Sequence, residues 1–260
     1  MVVKACIYTD VGQTRKFNQD AALVKVANTS RHGRISLIAV CDGMGGLSKG
    51  EVASCKAIRS LETWFHEDLV MLQSLEGEEL WNTIEDSFRR MSARINGDLK
   101  RYGKHRGISL GTTLTAFLQI GKRYMTMNIG DSRIYLVTGK EVKQITKDQS
   151  VVQDKLEKGI IDEKEADSDI QKNILLQCLG TGHSPEPEIK IGELHKATTV
   201  VACSDGFWRT LSLEQLRTKL CPQMCVTDED MLCECRKLAD EALLKKEEDN
   251  ISVAAACLVF

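Results

Sequence analysis

The feature that most constrains the fold is a set of three apolar runs, each abutting an aspartate. Ile35 to Cys41 reads as a buried strand that stops at Asp42-Gly43. Thr199 to Ser204 is a second run, ending in Asp205-Gly206, and Asp249-Asn250 leads directly into a third, Ile251 to Phe260. Strands apolar on both faces need cover on both sides. The tight turns expected at Gly121 and Gly139 favour antiparallel neighbours over crossovers. Both constraints are met by an α/β (α+β) chain in which two antiparallel sheets pack together with helices on their outer faces.

The remaining elements follow in order. Ala5 to Thr9 and Ala21 to Ala27 are predicted strands, separated by Gly12 and the polar stretch Arg15 to Asp20. Ser48 and Glu51 are spaced as a capping box for a helix from about Gly50 to Phe65. Leu80, Ile84, Phe88, Met91, Ile95 and Leu99 recur at helical spacing and mark a long amphipathic helix. Strands are expected at Thr113 to Ile120, Tyr124 to Ile129, Ile134 to Val137 and Glu141 to Ile145. A charged stretch from Thr146 to Asp167 is helical in places, and Asn173 to Leu179 reads as a short apolar helix ending at Gly180. Ser212 with Gln215 forms a second capping box, and Met231, Cys235, Leu238, Ala242 and Leu243 form the stripe of a last helix. No repeat or proline-rich linker divides the chain, so residues 1–260 are expected to form one domain.

The net charge of -2 offers no footprint for nucleic acid or a membrane surface, and no apolar run is long enough to span a bilayer. The ten cysteines are scattered through a chain with 42% hydrophobic residues and no secretory signal. They are therefore read as reduced thiols, and the protein as cytoplasmic.

Acids at the ends of core strands, with no matching bases, suit hard divalent cations. Mg²⁺ and Mn²⁺ prefer carboxylate, carbonyl and water oxygens. A carboxylate shared by two such ions holds them about 3.5–4 Å apart and generates a water nucleophile for in-line attack on phosphorus. A guanidinium that grips the spare phosphate oxygens completes the set, and Arg15 is the candidate.

Six pieces of sequence then occur together: Arg15-x-x-Asn18-Gln19-Asp20, Asp42-Gly43-Met44-Gly45-Gly46, Gly111-Thr112-Thr113, Gly130-Asp131-Ser132-Arg133, Ser204-Asp205-Gly206 and Asp249-Asn250. In this order, and over nearly the whole chain, they resemble the metal-dependent Ser/Thr protein phosphatases (PPM, type 2C) in their compact bacterial form. The resemblance implies a four-layer α-β-β-α sandwich. It further implies two Mn²⁺ or Mg²⁺ ions, bridged by Asp42, with the Gly43 carbonyl completing the first site and Asp205 and Asp249 holding the second. Asp131 would hold a third ion with Asp205. Asp20 would orient metal-bound waters, Gln19 would hydrogen-bond one of them, and Arg15 would clamp the phosphate. The segment from about Val151 to Asn173 corresponds to a variable flap beside the site. The implied reaction is hydrolysis of phosphoserine and phosphothreonine in proteins by a metal-bridging hydroxide. A partner Ser/Thr kinase is implied as well, and the chain is expected to act as a monomer.

Two positions depart from the family pattern. Eukaryotic members carry a His where Met44 stands, and methionine cannot donate a proton. Many members have Glu where Gln19 stands. Neither change removes a direct metal ligand.

Three other readings compete. Cys203 to Thr210 has the C-x5-R-T spacing of a cysteine-dependent phosphatase loop, but it would aim Asp205 at a dianion. Cys221, Cys225, Cys233 and Cys235 include no C-x-x-C pair for zinc. A regulatory module that binds phosphoproteins without cleaving them is the third, and the retained acids argue against it. Ser132, Arg133, Thr112 and Thr113 are read as structural, the Thr hydroxyls satisfying backbone near the site.

Overall fold

The computed structural model of the chain describes residues 2–44, 49–72, 74–182 and 184–260. In order the elements are β1 (Val2–Asp10), β2 (Ala21–Thr29), β3 (Gly33–Cys41), α1 (Gly50–His66), α2 (Asp68–Leu72) and α3 (Gly77–Arg106). Then come β4 (Leu114–Ile120), β5 (Arg123–Ile129), β6 (Arg133–Val137), β7 (Val142–Gln144), α4 (Val151–Glu157) and α5 (Glu163–Ser168). The chain continues through β8 (Glu188–Glu193), β9 (Thr198–Cys203), α6 (Asp205–Trp208), α7 (Leu213–Leu220), α8 (Asp228–Leu244) and β10 (Ile251–Val259).

The strands form two five-stranded sheets, ordered β1-β10-β9-β6-β7 and β2-β3-β4-β5-β8. Every paired neighbour is antiparallel. Side-chain alternation explains why the central strands are apolar throughout. On β3, Ile35, Leu37, Ala39 and Cys41 join Trp64, Ile84 and Phe88 of α1 and α3 in one core. The intervening Ile38 and Val40 join Phe117, Val200, Ala254 and Ala256 between the sheets. On β10 the split repeats, with Val253, Ala255 and Cys257 facing Met231, Cys235 and Leu238 of α8. The layers are helix, sheet, sheet, helix, as expected.

Capping chemistry sets several boundaries. Ser212 with Gln215 closes the expected capping box at α7, and Thr227 with Asp230 forms another at α8 that the sequence reading did not name. The cap expected at Ser48 lies outside the described residues, as do Gly45 and Gly46. The position before α1 is Lys49, whose side chain makes no capping hydrogen bond. Among the described residues, no helix is long and apolar enough to cross a membrane.

One expected helix is absent. Residues 173–179 are not helical but bridge laterally: Leu176 N–H donates to Gln149 O at 2.8 Å, and Leu179 N–H to Thr112 O at 2.9 Å. The short apolar run is satisfied by neighbouring chain instead of by its own turns. Strand β8, which the sequence reading also missed, covers the β5 edge with residues that are partly buried or exposed.

Candidate active site

Antiparallel register puts one end of several strands at the same place. Asp42 follows β3, Thr112 and Thr113 precede β4, and Asp20 precedes β2. In the other sheet Asp205 follows β9 and Asp249 precedes β10, while Asp131 lies in the turn joining β5 to β6 across the two sheets. All six loops therefore open at one end of the sandwich. There a cleft of about 610 Å³ is lined by Asp42, Asp131, Asp205 and Asp249, with Arg15 at its edge. Its other lining includes Met44, Asn173, Leu175, Cys178 and Thr181. The non-helical stretch from 173 onward thus supplies a wall of the cleft.

The backbone around the acids is anchored from several directions. Asp42 N–H donates to Thr113 Oγ1 at 2.8 Å, and the Thr112 hydroxyl donates to Asp42 O at 2.9 Å. Gly43 N–H donates to Gln19 O and Met44 N–H to Gly111 O, each at 3.1 Å. A Cβ on Gly43 would collide with the carbonyl oxygens of Gln19 and Gly50, so only glycine allows this approach. Asn250 ties the other side together, its Nδ2 donating to Val11 O at 2.8 Å and Phe17 O at 3.1 Å, while its Oδ1 accepts from Gln19 N–H. That amide fastens the Arg15 loop to the start of β10.

Arg15 Nη2 donates to Asp249 Oδ2 at 2.8 Å, with the guanidinium partly exposed at the mouth. Gln19 gives the site its main chain, whereas its side chain points to Glu51, with Nε2 3.4 Å from Oε2. Asp20 sits behind the cleft, close enough to Asp42 to disfavour that carboxyl's charge. Two residues that the sequence reading left unassigned belong to the same neighbourhood. Arg209 Nη2 donates to Asp205 Oδ2, and Arg209 Nη1 is 3.9 Å from the buried Glu247 carboxyl. A helical i,i+4 relation to Asp205 was the available signal for Arg209.

The electrostatics are those of negative charges crowded together. Burial, then Asp20 and Asp205, pushes the Asp42 carboxyl well above the usual range. Burial, then Asp205, lifts Asp131 to about 8. Burial is also the main cause that takes Asp20 to about 7, opposed by the Ser204 and Ser252 hydroxyls. Asp205 is raised by burial despite the opposing Arg209 guanidinium. Such a set gains most from a cation, which favours every ionised form at once.

The residues suit a hard divalent ion in donor type. Asp205 Oδ1 and Asp20 Oδ2 are buried and without hydrogen-bond partners, lone pairs that need a proton or a cation. Among the described residues, however, no three His, Cys, Asp or Glu side chains already converge on one point as a closed metal cage. Arg15 and Arg209 instead hold Asp249 and Asp205 as ion pairs. Among the described residues, Cys221, Cys225, Cys233 and Cys235 do not come together as a group that could hold a metal ion. Cys203 is fully buried on β9, and burial drives its thiol far above the ordinary range, which removes it as a nucleophile. All ten cysteines are free thiols.

The sequence profile described as Protein phosphatase 2C matches residues 12–240. The chain is 31% identical over 260 residues to the serine/threonine protein phosphatase PstP of Mycobacterium tuberculosis, covering 100% of this chain and 46% of that one. It thus spans about half the length of that relative. Its fold is similar to that of the serine/threonine phosphatase Stp1 from Staphylococcus aureus, with a TM-score of 0.84, 26% identity, and coverage of 100% of this chain and 96% of that one. It is also similar to the catalytic domain of PstP in complex with two manganese ions, with a TM-score of 0.75, 29% identity and 99% of each chain covered. On the match to the profile and the shared sandwich, the chain belongs to the protein phosphatase 2C family.

Proposed function

We propose that the chain is a Mn²⁺- or Mg²⁺-dependent phosphatase that hydrolyses phosphoserine and phosphothreonine monoesters in proteins. The observation that carries this reading is the single cleft lined by Asp42, Asp131, Asp205 and Asp249 with Arg15 at its edge. Asp42, the Gly43 carbonyl, Asp205 and Asp249 would hold two divalent ions, Asp205 through Oδ1, which is buried and without a hydrogen-bond partner while Oδ2 keeps Arg209. When bound, the ions supply charge neutralisation for the phosphoryl group and an activated water.

The protein's own groups do the rest. Gly43 lets the backbone approach without steric obstruction, and Thr112 and Thr113 fix the Asp42 main chain. Arg15 uses the guanidinium donors not spent on Asp249 to grip the phosphate. Asp20 orients water from behind Asp42, and Gln19 supports this region through its main chain. Leu175, Cys178 and Met44 form an apolar wall that excludes water from one side of the phosphate. Residues 1–260 act as one domain, and 151–173 as a flap over the entrance. The protein works as a cytoplasmic monomer opposed to a Ser/Thr kinase. A module that only binds phosphoproteins has no use for this many convergent acids.

The deciding experiment is a phosphopeptide and p-nitrophenyl phosphate assay. Turnover should vanish in EDTA and return with Mn²⁺; turnover that persists in EDTA sinks the proposal. The same ions should stabilise the fold, by about 2.7 kcal/mol per site at 100-fold excess over Kd. Differential scanning calorimetry with and without EDTA measures this directly, and an unchanged Tm counts against the ligand set.

Arg15→Ala should lower kcat/KM about 10–100-fold, the size expected for losing a hydrogen bond to a charged group. Arg15→Lys should recover only part, because an ammonium lacks the planar fork. The Mn²⁺-induced rise in Tm should survive in both variants. If it disappears with Arg15→Ala, the residue serves the acids and not the phosphate.

A further inference from the structure

At the Asp131–Asp205 pair a side chain of this protein already supplies a positive charge. Helix α6 is a single turn that begins at Asp205, and Arg209 caps it by donating its N–H to Asp205 O at 2.9 Å. Residues four apart on such a turn share a face, so the guanidinium falls back onto the Asp205 carboxylate. Trp208 fixes the turn from the other side, its indole N–H donating to Asp131 O at 3.2 Å. Asp131 separates the main cleft from a smaller cavity of about 230 Å³, and Arg209 lines that second cavity. Arg209 therefore reaches the pair from behind.

The guanidinium is held by more than one acid. Besides Asp205 it lies 3.9 Å from Glu247, whose side chain is 5% exposed, and within electrostatic reach of Asp131. It also donates to Asn173 Oδ1 at 3.4 Å, which joins the proposed flap to the same point. Guanidinium stays charged at every working pH and cannot be chelated. A dication placed between Asp131 and Asp205 would meet that fixed charge at close range and would share a carboxylate already bonded to it.

We infer that Arg209 is a built-in cation that takes the place of a third metal ion, so that the loaded protein carries two divalent ions and its flap is tied to the site by a side chain. This rests on the phosphatase reading of the cleft. Asp131 then serves as a counter-charge that positions Arg209 and not as a metal ligand, a departure from the role that the resemblance implied.

The test counts ions in the full chain by equilibrium dialysis against Mn²⁺ from micromolar to about 10 mM, with metal analysis of the protein. Wild type should saturate at two Mn²⁺ per chain, and Arg209→Lys, which keeps the charge, should do the same. Arg209→Met, similar in length but neutral, should gain a third, weaker Mn²⁺ that Asp131→Asn in the same background removes. Circular dichroism and Tm establish that each variant is folded; should Arg209→Met not fold, the wild-type and Arg209→Lys counts still decide. A wild-type count of three, or an Arg209→Met count that stays at two, overturns the inference and leaves the phosphatase reading intact. A wild type that binds no Mn²⁺ at all overturns both.

Discussion

Asp42→Asn yields a folded protein that hydrolyses a phosphopeptide about 10³-fold more slowly than wild type, or worse, at saturating Mn²⁺. The substitution keeps the volume of the side chain and removes only its charge. Asp42 lies where burial and four neighbouring acids, Asp20 and Asp205 foremost, oppose an unbalanced negative charge, and a divalent ion is the partner that reverses that penalty. The variant should also lose much of the Mn²⁺-induced gain in Tm. In EDTA its Tm should equal or exceed that of wild type, since one of several mutually repelling carboxylates is gone. Calorimetry and a phosphopeptide assay on one preparation check all three outcomes. Near-normal turnover in Asp42→Asn would show that this carboxylate is not part of the reaction.

Phe117→Ala should cost about 3–5 kcal/mol of folding stability, the range for truncating a fully buried aromatic side chain. Phe117 is 0% exposed and lies between the two sheets, stacked on Tyr124 with ring centroids 5.0 Å apart. The surrounding strands are hydrogen-bonded on both edges and cannot collapse into the space, so a cavity remains. At about 2–4 °C per kcal/mol for a chain of this size, Tm should fall by roughly 6–20 °C. Urea denaturation followed by circular dichroism measures the loss. A change below about 1 kcal/mol would mean that the sheets do not meet through this ring.

The sandwich was legible because its evidence is local. Ile35 to Cys41 and Ile251 to Val259 are apolar at both odd and even positions, and a strand with that pattern must be covered twice. The helical spacing from Leu80 to Leu99 is equally local, and α3 buries those residues. Asn173 to Leu179 misled because a short apolar run has no period long enough to separate helix from strand. There the choice fell to partners remote in sequence, Gln149 and Thr112, which take the backbone hydrogen bonds. Strand β8 was missed for a related reason: its half-buried edge position leaves a weak pattern.

The candidate site divides in the same way. By itself the sequence determined which residues had the chemistry for hard cations and phosphate, since each strand-end aspartate and Arg15 is recognisable from its own neighbours. Tertiary structure alone decided which of them meet, because antiparallel register within each sheet and the packing of one sheet on the other bring the ends of strands over 200 residues apart, such as β3 and β10, to one end of the sandwich. It also decided the local charge balance. Arg209 on Asp205 and Arg15 on Asp249 are contacts set by how a one-turn helix and two loops pack, and side-chain identity carries no distance.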